Sequence, residues 1–128
     1  MNMKINRVGA VAVAALVATF SLSPPASAEG SWSSSISNWL SGNESRRWTD
    51  NHNDKASTTV SFSGCNFGGP SSATLELDHV RDFLPDVSHG TRSNTCNTVS
   101  WGEVGAADFY FIYIGSTRLN VSSVVTRY

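Results

Sequence analysis

The densest group of side chains that could do chemistry surrounds two histidines, His79 and His89. Asp78, Asp82 and Asp86 lie beside or between them. Imidazoles and carboxylates that lie close together can act as general acids and bases or as metal ligands. Their spacing matches neither an H-E-x-x-H nor an H-x-H arrangement suited to zinc. Because the segment is rich in charge, we interpret these as surface or structural side chains and assign no catalytic or metal-binding residue.

Other groups of oxygen-bearing side chains likewise give no assigned catalytic or metal-binding residue. The cluster Asp-Asn-His-Asn-Asp at 50–54 suits calcium, but His52 in its third position breaks the EF-hand pattern. Residues 53–58 are near the calcium-site pattern of βγ-crystallins, which normally comes in two copies, and we find one. Nothing in the sequence brings Glu103 and Asp108 together as paired carboxylates. We therefore expect an Asx-rich turn at 50–54, no cofactor, and no enzymatic activity.

The first 28 residues have the layout of a secretory signal peptide. Lys4 and Arg7 precede the uncharged apolar run 8–22, and Ala-Ser-Ala at 26–28 is a cleavage motif. The run is shorter than a membrane-spanning helix needs. Two of the nine basic residues lie in this leader, so the mature chain has seven basic and ten acidic residues. The sequence thus predicts a secreted protein that binds neither nucleic acid nor membranes.

The mature chain, residues 29–128, has the length of one small domain. Its two cysteines, Cys65 and Cys96, are predicted to form a disulfide, because an exported chain with a single cysteine pair is normally oxidised. A metal pair or a catalytic thiol is the alternative, but the chain has no second cysteine pair, and an exported single-domain protein usually oxidises its thiols.

From residue 46 onward the hydrophobic pattern has period two or is apolar on both faces, which is typical of strands. Residues 81–95 have a loop-like composition. The sequence therefore predicts an all-β domain over 46–128, a small β-sandwich or open barrel of five or six strands. Strands are predicted at 57–63, 73–78, 96–101, 108–114 and 119–128.

Residues 29–45 are predicted to be a flexible, Ser-rich N-terminal arm. Seven of its seventeen residues are serine, which disfavours a stable isolated helix. Trp32, Ile36, Trp39 and Leu40 nevertheless follow the spacing of one helical face. Large apolar side chains are costly to leave in water. Either the arm folds back on its own sheet, or it stays disordered, or these four residues bind a partner, which is the role we predict for them.

Several short stretches share one layout: the arm and residues 58–65, 89–92, 95–98, 101–102, 109–111 and 119–124. Together they resemble the small adaptor subunit, the B component, of the umbrella toxin particles secreted by streptomycetes. The resemblance is one of layout over residues 32–128. It implies a non-enzymatic adaptor that bridges a large repeat-bearing toxin subunit and a lectin-like subunit in an antibacterial particle. Two partners imply two surfaces, and an unpaired sheet edge is a candidate for the second.

Different classes of function remain open beside the adaptor. A secreted protease inhibitor would present a rigid exposed loop, for which 83–86 (Phe-Leu-Pro-Asp) is the candidate. A small antimicrobial effector of βγ-crystallin-like build is a related possibility. A secreted hydrolase would have to use His79 and His89.

Overall fold

The computed structural model describes residues 29–128, and the predicted signal peptide at 1–28 lies outside the described residues. This part of the chain contains eight strands and no helix, and so no helix long and apolar enough to cross a membrane. The strands are β1 (Ser31–Trp39), β2 (Trp48–Asp50), β3 (Thr58–Asn66), β4 (Ala73–Arg81), β5 (Leu84–Asn94), β6 (Thr98–Gly102), β7 (Ala107–Ile114) and β8 (Leu119–Arg127).

The strands form two four-stranded antiparallel sheets, with strand orders β1-β8-β3-β6 and β2-β7-β4-β5. Alternate residues of β3 and β4 are buried, as their period-two sequences predict. The apolar faces of both sheets meet in one core, in which Phe109, Phe111 and Leu119 are almost fully buried. The predicted disulfide-linked all-β fold is therefore confirmed, with eight strands in place of the five or six expected.

The disulfide joins Cys65 in β3 to Cys96 in the turn between β5 and β6, with 5.9 Å between the two Cα atoms. The side chain of Asn94, which is fully buried, organises the same turn. Its carboxamide oxygen accepts hydrogen bonds from the backbone N–H groups of Cys96 and Asn97. Its carboxamide nitrogen donates to the carbonyl oxygens of Val60 and Asn97. The bridge thus fixes the point where the chain passes from one sheet to the other.

The loop expected at 81–95 is wrong, because most of it is the eleven-residue strand β5. It pairs with β4 from Ala73↔Asn94 to Arg81↔Leu84, interrupted by two irregularities. The strand lies at the edge of its sheet, and most of its residues are exposed. A strand of this kind does not need the apolar alternation by which the other strands were identified.

The N-terminal arm, expected to be flexible, is ordered as a strand: Trp32, Ile36 and Trp39, whose spacing resembles that of a helical face, belong to β1. The register with β8 shifts between Ser34 and Ile36 and again between Ile36 and Trp39. Such β-bulges displace the residues that follow them, so an inward-facing set can take on a spacing close to that of a helix. Of the alternatives for this arm, the structure shows the one in which it folds back on its own sheet.

Candidate partner-binding edge

Strand β1 lies at one edge of its sheet, and its inner side is paired with β8. Gly30 and Tyr128 exchange both of their backbone hydrogen bonds, at 2.9 and 3.0 Å. In an antiparallel pair such exchanges recur at every second residue, so Trp32 also bonds toward β8. The backbone N–H and C=O groups of Ser31 and Ser33 therefore point away from β8, toward the open edge.

This edge lacks the features by which proteins usually prevent strand addition. Over its nine residues β1 has no charged residue and no proline. Edge strand β5, by contrast, contains Pro85, Asp86 and Arg92, and two irregularities in its pairing. The regular part of β1 before its first register shift is thus an uncharged strand whose outer hydrogen-bonding groups are open to another chain.

A cleft of about 70 Å³ lies beside this edge. It separates β1 from the connection to β2 at Ser45 and Arg46, and it reaches inward to the ring of Phe111. On the β1 side its lining includes the small residues Ser34 and Ser35, which lie in sequence between the larger Trp32 and Ile36. The full set of lining residues is Trp32, Ser34, Ser35, Ile36, Trp39, Ser45, Arg46, Phe111 and Val124.

Two hydrogen bonds and a cation–π contact hold the far wall of the cleft in place. The N–H of Ser45 donates to the carbonyl oxygen of Phe111, and the Phe111 N–H donates to Ser45 Oγ, both at 2.9 Å. The guanidinium of Arg46 lies 5.4 Å from the centre of the Trp32 ring. The lining therefore combines the Arg46 guanidinium and serine hydroxyls with the apolar side chains of the core.

The structure places the four predicted partner-binding residues unequally. Trp32 and Ile36 are core residues, 7% and 5% exposed, and the Trp32 ring stacks on Phe111 at 6.2 Å between ring centres. Trp39 is partly buried, 5.9 Å from Phe111, and Leu40 is 50% exposed. Three of the four therefore line the cleft, while Leu40 is the freely accessible one. No sequence signal identified Ser45, Arg46 or Phe111 as part of this site, because only the fold brings them to β1.

The acidic and histidine cluster is divided between two faces of one sheet. The His79 and His89 rings face inward against Phe109, and His79 Nδ1 lies 2.7 Å from His89 Nε2. Burial, followed by the nearby His79, lowers the pKa of His89. Because neighbouring residues of a strand point to opposite faces, Asp78 lies on the outer face. The two histidine rings therefore contact each other on the inner face, and the Asp78 carboxylate lies on the opposite face of the sheet.

On the outer face, Asp78 belongs to an acidic group that includes Glu76 and Asp86. Burial, and then the neighbouring Glu76, raise the pKa of Asp78 to about 7. The hydroxyl of Tyr110 donates a hydrogen bond to Asp86. Burial, and then this hydrogen bond, raise the pKa of Tyr110. Within residues 29–128 no three His, Cys, Asp or Glu side chains are placed to hold a metal ion.

The oxygen-rich segment at 50–54 forms turns in which carboxylates accept backbone hydrogen bonds. Asp50 accepts from the His52 N–H, and Asp54 accepts from the Ala56 N–H, both at 2.8 Å. Glu29 accepts from the N–H groups of Asn51 and Asn53, and these bonds lower its pKa. Burial raises the pKa of Asp50. This geometry agrees with the Asx-rich turn expected from the sequence.

The two carboxylates considered as a pair have separate partners. Glu103 lies 3.9 Å from His52 Nε2, and Asp108 accepts a hydrogen bond from Thr49 Oγ1 at 2.7 Å.

Fold and site together define a class: a disulfide-linked, eight-stranded β-sandwich with an open, uncharged edge strand beside an apolar cleft. Comparison with protein-family models, curated proteins and solved structures found no match to this chain.

Proposed function

We propose that the chain is a secreted, non-enzymatic adaptor that bridges a large repeat-bearing toxin subunit and a lectin-like subunit in an antibacterial particle. The observation that carries this proposal is the open edge of β1, uncharged and directly beside an apolar cleft. The nature of the two partners comes from the resemblance of the sequence to umbrella toxin adaptors.

Strand addition is the mode of binding that this geometry favours. An incoming strand would form main-chain hydrogen bonds with the outward groups of Ser31 and Ser33, and these bonds would supply affinity. One of its apolar side chains would enter the cleft and contact Trp39 and Phe111, which would supply specificity.

Export is supported by two independent features. The leader at 1–28 has the three zones of a signal peptide. The Cys65–Cys96 disulfide is of the kind that persists in an oxidising compartment. Cleavage after Ala28 would leave Glu29 as the first residue of the mature chain, two residues before β1 begins.

The proposal is tested by affinity capture from the culture supernatant of the producing organism, with the tagged mature protein as bait. The informative variant is Ser33→Pro, because proline removes an N–H that points outward and costs no bond to β8. We expect a stable fold, with a change in unfolding free energy of less than about 1 kcal/mol, and loss of one captured partner.

The matched control is Ser33→Ala, which removes the same hydroxyl but keeps the N–H. It should capture both a repeat-bearing protein and a lectin-like protein in stoichiometric amounts. Recovery of the wild-type protein alone, as a monomer, would refute the adaptor function. Equal capture by the proline variant would refute strand addition at β1.

A further inference from the structure

The hairpin between β4 and β5 presents two large apolar side chains to solvent at its tip. Phe83 is 105% exposed relative to the reference for its residue type, and the adjacent Leu84 is 57% exposed. The last paired residues of β4 and β5 are Arg81 and Leu84, so the turn consists of Asp82 and Phe83 alone. The Phe83 ring is as open to solvent as in an extended peptide and contributes nothing to the core.

The backbone at Phe83 makes its residue type more unusual. Its φ of 60° lies in the left-handed region, where glycine, asparagine and aspartate are favoured and aromatic residues are rare. A turn that served only to reverse the chain would be less strained with one of those residues. An exposed aromatic residue in a strained conformation is therefore better explained by a contact outside the chain than by folding.

Two hydrogen bonds brace the base of this hairpin. The Arg81 side chain donates a hydrogen bond through Nε to the carbonyl oxygen of Pro85, at 3.0 Å, and so closes the base of the turn. The neighbouring Asp86 is tied to Tyr110 by a hydrogen bond from the Tyr110 hydroxyl. A rigid apolar projection loses little conformational entropy when a partner covers it.

The charges around the tip indicate which kind of partner surface would complement it. Asp82 and Asp86 flank the two apolar residues, and within residues 29–128 neither of them forms an ion pair. The nearby Arg81 donates through Nε to a neutral carbonyl oxygen and keeps its positive charge, so it offsets one of the two carboxylates and leaves the tip net negative. An anionic membrane surface would be repelled by this arrangement, whereas lysine or arginine around an apolar pocket would complement it.

We propose that this hairpin tip is a second docking element, which inserts Phe83 into an apolar pocket with a basic rim on a partner protein. The inference rests on the proposed adaptor function, to which it gives a second contact separate from β1. It also differs from protease inhibition at 83–86, because proteases bind extended segments and Phe83 lies in a tight turn.

The test uses the full mature chain with the photoreactive residue p-benzoylphenylalanine in place of Phe83, irradiated in the native culture supernatant. The same residue in place of Ser116, an exposed position in the β7–β8 turn, is the control. We expect adducts from position 83 on one protein, at residues lining an apolar pocket near lysine or arginine. Position 116 should give no such adduct.

A second variant, Phe83→Asn, separates binding from folding, because asparagine tolerates a positive φ. We expect its melting temperature to be unchanged or higher by up to about 5 °C, and its affinity for the cross-linked protein to fall at least about tenfold. Phe83→Trp should retain capture. A lower melting temperature for Phe83→Asn would show that the residue serves the fold and would overturn the inference.

Three other outcomes would also overturn it. One is scattered adducts, or none above the control. Another is Phe83-dependent binding to phosphatidylcholine vesicles, which would make the tip a membrane anchor. The third is Phe83-dependent inhibition of chymotrypsin. If the Phe83 experiments fail while a partner is still captured through β1, the adaptor function stands and the tip inference does not. If only the partner bound through β1 is lost, the tip inference stands.

Discussion

Replacement of Trp32 by alanine tests directly whether β1 belongs to the core. Trp32 is 7% exposed, stacks on Phe111, and lies 5.8 Å from the centre of the Trp48 ring. Removal of a buried tryptophan side chain typically costs about 3–5 kcal/mol. The lower end applies here, because the buried Trp32 Nε1 has no acceptor among residues 29–128, and its removal recovers part of that penalty.

We therefore expect Trp32→Ala to lower the free energy of unfolding by about 3 kcal/mol. For a domain of this length that corresponds to a fall of about 12 °C or more in melting temperature. The measurement is urea unfolding of the mature chain with its disulfide intact, because the midpoint at constant slope reports stability alone.

Two controls make the comparison specific to burial. Leu40→Ala, at a residue that is 50% exposed, should change stability by less than about 0.5 kcal/mol. Trp32→Phe keeps an aromatic ring in place and removes the N–H without a partner, so it should cost less than the alanine variant. An unchanged midpoint for Trp32→Ala would refute the docking of β1 and restore a loose arm.

Two further predictions concern the disulfide and an outer-face carboxylate. The cysteines are separated by 31 residues in sequence, so reduction should lower stability by about 3.5 kcal/mol, measured by unfolding with and without a thiol reductant; an intact mass with two free thiols in secreted protein would contradict the pairing. The pKa of Asp78, raised to about 7 in the folded state from an ordinary value of 3.8, means that the unfolded chain loses this proton first as the pH rises. The stability contributed by protonated Asp78 is fully present below about pH 4 and is lost by about pH 7. At pH 8 the free energy of unfolding of Asp78→Asn should therefore exceed that of wild type by about 1–3 kcal/mol. Equal pH profiles of unfolding for the two proteins would contradict a raised pKa.

The sequence predicted the strands whose two faces differ, and those buried on both faces. β3 alternates between serine or threonine and larger residues, and β7 is apolar on both faces from Phe109 to Ile114, so both were assigned without tertiary information. The pairing of the cysteines also followed from the sequence, since only two are present. The strand patterns and the cysteine pair can be identified from the sequence because neither depends on which distant residues the fold brings together.

Strands β1, β2 and β5 were missed, and for β1 and β5 the physical reasons differ. Two bulges in β1 shift its inward residues away from period two, and the sequence cannot show where a partner strand forces a bulge. β5 lies at an edge with most residues exposed, so burial does not impose an apolar alternation on it. The cleft could not be predicted either, because Ser45 and Phe111 join it only through the pairing of the β1–β2 connection with β7.

The positions of the two proposed contacts in the sandwich bear on whether one molecule could hold two partners. β1 begins one sheet and packs over β2 through the Trp32–Trp48 contact, whereas β5 ends the other sheet beside β6. The open edge and the Phe83 hairpin therefore belong to opposite lateral edges of the domain. A strand added at β1 would extend its sheet away from β5, so neither partner would need to displace the other. For an adaptor this arrangement predicts simultaneous binding, and competition between the two partners for one molecule would contradict it.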